Sequence, residues 1–153
     1  MQKIEFKVGG EELLDEVKPL WEKLNEQHAQ GSSHFSALFR KRGFAERKQS
    51  LLENKIAVRV EMARETNSGR LVGYCISTIS QKKIGEIDSI FIETDFRGIG
   101  IGDAFMRRAL EWMETQAVQS KRLTVAEGNE KVFAFYKQYG FYPRTTTLMQ
   151  ILQ

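Results

Sequence analysis

The stretch Asp95-Phe96-Arg97-Gly98-Ile99-Gly100-Ile101-Gly102 decides the reading of this chain. It stands between two strong signals of different period. Before it, Ile84 to Ile92 is dense in β-branched residues and predicts a strand. After it, Ile101, Phe105, Ala109, Trp112, Met113 and Ala117 make one apolar face and predict a helix from about Gly100 to Gln119. Glycines at 98, 100 and 102 expose backbone N–H groups at the helix start, an arrangement suited to a pyrophosphate. The spacing excludes two common phosphate loops. A Gly-x-Gly-x-x-Gly fingerprint would need glycine at 103 or 105, where Asp103 and Phe105 stand, and no Gly-Lys-Ser/Thr follows. A tight strand-to-helix turn without a ligand is the plain alternative.

Outward from this turn the period of the apolar residues keeps switching. Ile4, Phe6 and Val8 alternate with polar residues and stop at Gly9-Gly10, which predicts a half-buried strand. Leu13, Leu14, Val17, Leu20, Trp21 and Leu24 fall at helical spacing, so a helix runs from about Glu11 to Gln30 and breaks at Gly31-Ser32-Ser33. Phe35, Leu38, Phe39, Phe44, Leu51 and Leu52 suggest one or two short helices with a turn at Gly43. Ile56, Val58 and Val60 alternate with charged residues, and a turn at Asn67-Ser68-Gly69 leads into Leu71 to Ile79, a hairpin. Downstream, Leu123 to Ala126 reads as a short strand, Glu130 to Tyr139 as an aromatic helix closed by Gly140, and Phe141 to Leu152 as a terminal strand. The order is β-α-α-β-β-β-α-β-α-β, an α/β (α+β) chain with a mixed sheet and helices on both faces.

Composition narrows the class. The 153 residues correspond to one domain, 1–153, and 41% hydrophobic residues supply a core. One cysteine, Cys75, excludes an internal disulfide and a cysteine metal cluster, and fits a reducing compartment. Charge in Met1-Gln2-Lys3-Ile4-Glu5 and the lack of a long apolar run predict neither a signal peptide nor a membrane span, hence a cytoplasmic protein. A net charge of +3 is mild for a nucleic-acid binder. Its distribution is uneven: residues 11–26 hold six acids and two bases, whereas Arg40, Lys41, Arg42, Arg47 and Lys48 face one acid, Glu46, within 40–48. That basic run reads as a solvated helix end or as an attraction for an anionic ligand.

Arg97-x-x-Gly100-x-Gly102 resembles the Arg/Gln-x-x-Gly-x-Gly/Ala signature of the GNAT superfamily, the acyl-CoA-dependent N-acyltransferases. A second block agrees: Asn129, Ala134, Phe135-Tyr136 and Gly140-Phe141 are similar to the family's Asn-x-x-Ala-x-x-Phe-Tyr-x-x-x-Gly-Phe, except that Asn129 and Ala134 are five apart. The resemblance covers about residues 55 to 150, and the preceding elements match the family's order. It implies acetyl-CoA as co-substrate, no metal, and an amine acceptor. The backbone of Arg97, Gly98, Ile99, Gly100, Ile101 and Gly102 would hold the pyrophosphate, and the strand at Ile90, Phe91 and Ile92 the pantetheine arm.

The same resemblance offers chemical roles, each beside a plainer one. Tyr136 occupies the family's tyrosine position and is the candidate acid for the departing thiolate; as an ordinary residue it is a core aromatic. Asn129 is either a cofactor contact or the N-cap of the helix that follows. An ammonium acceptor must lose a proton, and Glu86, with Asp88 two residues on, is the candidate base; a solvated carboxylate is the alternative. Strand alternation would put Glu86, Asp88, Ile90 and Ile92 on one side of the sheet. Cys75 reads as core, and His28 and His34 are poorly spaced as metal ligands but suit an acceptor pocket. Two classes of function follow: an N-acetyltransferase acting by direct attack in a ternary complex, or a non-catalytic acyl-CoA-binding module. A homodimer through Phe141 to Leu152 fits either.

Overall fold

Tight turns join the three middle strands into an antiparallel meander, and a helical crossover is needed before a parallel strand can be added. The computed structural model, which describes residues 3–151, has this plan. One sheet runs in the order β1 (Ile4–Gly9), β2 (Lys55–Glu65), β3 (Leu71–Ser80), β4 (Ile84–Ile92) and β5 (Ser120–Leu123). The first four are antiparallel neighbours, and β5 lies parallel to β4. Helices α1 (Leu14–Gly31), α2 (Ser36–Lys41) and α3 (Phe44–Leu52) separate β1 from β2. The crossover is α4 (Ile101–Thr115), and α5 (Phe133–Lys137) follows β5.

The sheet divides two cores. On one face Leu14, Val17, Leu20 and Trp21 of α1, with Phe44 and Leu51 of α3, pack on Val60, Met62, Tyr74, Ile76 and Phe91. On the other, Phe105, Met106, Ala109 and Met113 of α4 pack on Val72, Cys75 and Ile87. Cys75 is fully buried, and burial pushes its thiol up to about 12, as expected of a core position.

One irregularity overturns the simple alternation of β4. Ile76 pairs with Ser89 and Ser77 with Ile87, so Asp88 is an extra residue, a β-bulge. Ile87 therefore belongs to the α4 core and Phe91 to the α1 core, and Ile90 and Ile92 pack on the α4 side. Glu86 sits opposite Thr78, on the face of Tyr74 and Ile76, and Thr78 donates a hydrogen bond to Asp88 at 2.7 Å. The two carboxylates share the α1 face; the two isoleucines do not join them.

Other boundaries shift for local reasons. β5 lies three residues earlier than the apolar run Leu123 to Ala126, and α4 ends at Thr115 because Ala117 takes a left-handed conformation (φ 53°). The expected terminal strand does not form over 141–151, where Leu148 (90% exposed) and Met149 meet no partner strand; Leu152 lies outside the described residues. Among the described residues the order is thus β-α-α-α-β-β-β-α-β-α.

Glu93, at the end of β4, fastens three elements. It is 6% exposed, accepts hydrogen bonds from Lys23 of α1 at 2.9 and 3.1 Å, and pairs with Arg70, which leads into β3. Burial would raise its carboxyl, but Lys23 and Arg70 hold it below the ordinary value. A carboxyl lowered by folding stabilises the fold above its unfolded value and loses that contribution as pH falls through the folded one. Stability should therefore decline below about pH 4.3. Urea unfolding midpoints measured across that range should show this decline, and Glu93→Gln should flatten it.

Candidate active site

β4 has a strand on both sides only at its start. Its pairing with β5 covers Ile84 to Ile87 and Ser120 to Leu123, after which β4 continues alone on that side to Ile92. The chain beyond β5 is drawn across to the end of α1. The Glu127 carboxylate accepts from Ser32 Oγ at 2.7 Å and from the Ser33 N–H at 3.0 Å. Gly128 has φ +94°, and a Cβ there would lie 2.0 Å from the Gly31 carbonyl oxygen, so only glycine lets the two backbones meet. The resulting splay opens a cavity of about 370 Å³.

The glycine turn flanks that splay. Gly98 and Gly100 have φ of +79° and +95°, and α4 begins directly after Gly100. Ala104 N–H makes the first bond of the helix, to the Gly100 carbonyl. Among the described residues, the amides of Gly98 to Asp103 donate to no protein acceptor, so up to six N–H groups are available to an anion at a helix start. A Cβ at Gly98 or Gly100 would meet nothing within 4 Å, whereas one at Gly102 would press on Ile92 and Phe135. The first two glycines serve backbone shape and the third serves close packing. Arg97 lays its side chain back along the surface of the strand: its Nε donates to the Ile92 carbonyl at 2.7 Å and its guanidinium covers the Phe91 ring. It braces the turn against the strand rather than reaching outward.

Of the residues singled out in the sequence, Glu86, Asp88, Ile90, Asn129 and Tyr136 line the cavity; Phe91, Ile92 and the 97–102 turn lie outside its lining. Asp88 is raised to about 6, chiefly by burial, with Glu86 adding to the effect and the Thr78 bond opposing it. Glu86 is engaged with Arg122, whose Nε lies at 3.0 Å. The two candidate bases are therefore unequal: Asp88 faces the cavity with a value near neutrality, and Glu86 is held in an ion pair. Burial pushes Tyr136 up to about 12. Among the described residues its hydroxyl has no hydrogen-bond partner, and its ring meets Phe135 edge-on. Asn129 makes no side-chain cap to the turn that follows, so its amide is not used as an N-cap. His28 lines the cavity, packs near Phe39 and is lowered by burial, whereas His34 stands outside.

Other lining residues carry no sequence signature of their own. Trp21, Leu24 and Asn25 come from the inner face of α1, and Thr124 to Ala126 from the segment once expected to be strand. Arg42 and Arg47 belong to the basic run already visible in the sequence, but only the fold separates them from Arg40 and Lys48, which pair with Glu26 and Asp15. No group of three or more His, Cys, Asp or Glu suited to a metal ion occurs among the described residues, and no described helix is long and apolar enough to cross a membrane.

Comparison with known proteins agrees with this geometry. The model of the acetyltransferase (GNAT) family matches residues 18–141. An uncharacterized N-acetyltransferase of Methanocaldococcus jannaschii is 35% identical over 80 residues, which is 48% of this chain and 35% of that relative's own length. A Pyrococcus furiosus structure provisionally described as an acetyl transferase superposes with a TM-score of 0.76 at 23% identity, covering 97% of this chain and all of the other. The aminoglycoside N-acetyltransferase AAC(6')-Iy, solved in complex with CoA, gives 0.61 at 13% identity, covering 98% and 95%.

The contact between Gly31 and Gly128 provides a test of how the splay is held. Gly128→Ala combines a positive φ with a backbone collision and should cost about 2–5 kcal/mol. Gly43→Ala, where a Cβ meets nothing within 4 Å, serves as the control. Thermal unfolding of both variants reads the difference.

Proposed function

The chain belongs to the acetyltransferase (GNAT) family, and on that premise we propose that it is a single N-acetyltransferase domain moving an acetyl group from acetyl-CoA to a primary amine by direct attack in a ternary complex. The observation that carries this reading is that Asp88 and Tyr136 line one cavity at the β4–β5 splay, beside a turn of free amides. The backbone from Arg97 to Gly102 suits the pyrophosphate of CoA, where the α4 dipole adds attraction. The unpaired edge of β4 at Ile90, Phe91 and Ile92 suits the pantetheine arm, which would add to it like a strand, and Asn129 offers a free amide nearby. Acetyl-CoA supplies an acetyl group activated as a thioester.

Asp88 takes a proton from the incoming ammonium, which frees the nitrogen lone pair to form the C–N bond. Tyr136 gives its phenol proton to the sulfur as the C–S bond breaks, the second proton shed by the acylated nitrogen restores the phenol, and the proton on Asp88 passes to solvent. A phenol raised to about 12 is a weak acid in water, but the burial that raises it raises a thiolate beside it as well. Glu86 supports Asp88 by keeping its value up rather than by acting as the base. A cytoplasmic setting fits the single buried thiol. A homodimer would use the edge strand β5 and the exposed tail bearing Leu148, Met149 and Ile151, where a second copy would bury apolar surface.

Release of CoA from acetyl-CoA in the presence of a panel of primary amines tests the reading. Tyr136→Phe should keep the thermal shift given by acetyl-CoA and lower turnover by about 100-fold or more. A shift with acetyl-CoA but no turnover with any amine would leave a non-catalytic binding module. Asp88 accepts a proton only when ionised, so kcat/KM should rise with pH through about 6 and level off above it. A pH profile of Asp88→Asn should lack that rise.

A further inference from the structure

Two guanidinium groups face the cavity that also holds the carboxylates. Arg47 of α3 donates from NH2 to the Asp88 carbonyl at 3.0 Å, which fixes its head against the bulge. Arg42, in the turn between α2 and α3, lines the same cavity, and among the described residues its side chain makes no hydrogen bond or ion pair. Burial lowers it first, and the neighbouring charge of Arg47 lowers it further; Glu46 acts on it favourably from beyond ion-pair distance. The rest of the basic run is accounted for differently. Arg40 binds Glu26 at 3.0 Å and Lys48 binds Asp15 at 2.9 Å, each on the outer surface.

Two like charges kept together without a shared carboxylate are a cost that a bound anion would remove. The same cavity is also lined by acid, Asp88 beside Arg47 and Glu86 two residues before it on β4. A molecule that carries both a positive amine and a negative group would satisfy both kinds of charge. Resting on the acetyltransferase reading, we propose that Arg42 and Arg47 form an anion subsite of the acceptor cavity, so that the accepted amine carries a carboxylate or phosphate group. Guanidinium forks are suited to either oxyanion. His28, lowered by burial, adds a neutral ring beside them.

Paired probes test this without depending on turnover. β-Alanine is compared with β-alaninamide, and phosphoethanolamine with ethanolamine, by calorimetric titration into the protein saturated with CoA and into the protein alone. The member of at least one pair that bears the anionic group should bind roughly 10–100-fold more tightly than its counterpart without it. Arg42→Gln should abolish that advantage and leave the affinity of the counterpart within about twofold. The pair that discriminates identifies the anion as carboxylate or phosphate. Equal binding within both pairs, or an advantage that survives in both Arg42→Gln and Arg47→Gln, would overturn the subsite. Failure of CoA to bind, with discrimination between probes intact, would instead count against the acetyltransferase reading alone.

Discussion

The structure turns on β4 losing its second neighbour after Ile87. Up to that residue β4 is an interior strand, and beyond it the same strand has a free edge inside the protein. A free edge deep in a sheet normally closes by taking up the next strand. Here it is kept open because the chain after β5 is committed elsewhere, through Glu127 on Ser32 and Ser33 and through the backbone contact of Gly128 with Gly31. Two arginines occupy carbonyls at the ends of the opened segment, Arg47 at Asp88 and Arg97 at Ile92. The two cores support the sheet on either side of the gap, α1 and α3 on one face and α4 on the other.

Much of the scaffold was legible in the sequence because its signals are local. β4 runs from Ile84 to Ile92 as its β-branched density predicts, and α4 starts at Ile101, directly after Gly100. Gly140 closes the aromatic helix as expected, with φ +84° and Phe141 N–H bonded back to the Tyr136 carbonyl. The errors arose where a distant partner sets the outcome. The alternation of Glu86, Asp88, Ile90 and Ile92 looks uninterrupted in one dimension, and the bulge at Asp88 is defined only by what β3 places opposite it. The register of β5 is likewise fixed by its neighbour and by the loop that follows, not by its own apolar run. The residues after Gly140 have strand-forming composition yet pair with no strand over 141–151, and composition alone does not order a strand.

The candidate site shows the same division. The glycine turn, Tyr136 and the carboxylates carry short-range or spacing signals that single them out as candidates in the sequence. Trp21, Asn25 and His28 reach the cavity because of the angle of α1, which no spacing in the chain encodes. The basic run was visible as charge, yet in space Arg40 and Lys48 pair with surface acids while Arg42 and Arg47 line the cavity. The weight of a charge cluster is thus decided by which members find carboxylates, and that depends on the fold.

The bulge at Asp88 makes β4 in effect two half-strands that look in opposite directions. Its first half contributes Glu86 and Asp88 to the side where the helices between β1 and β2 lie, and its second half contributes Ile90 and Ile92 to the side of the glycine turn. Variation in one half leaves the facing of the other unchanged. A lineage built on this strand can therefore alter the side chains it offers to the two faces of the sheet as separate traits, each mutable without retuning its counterpart.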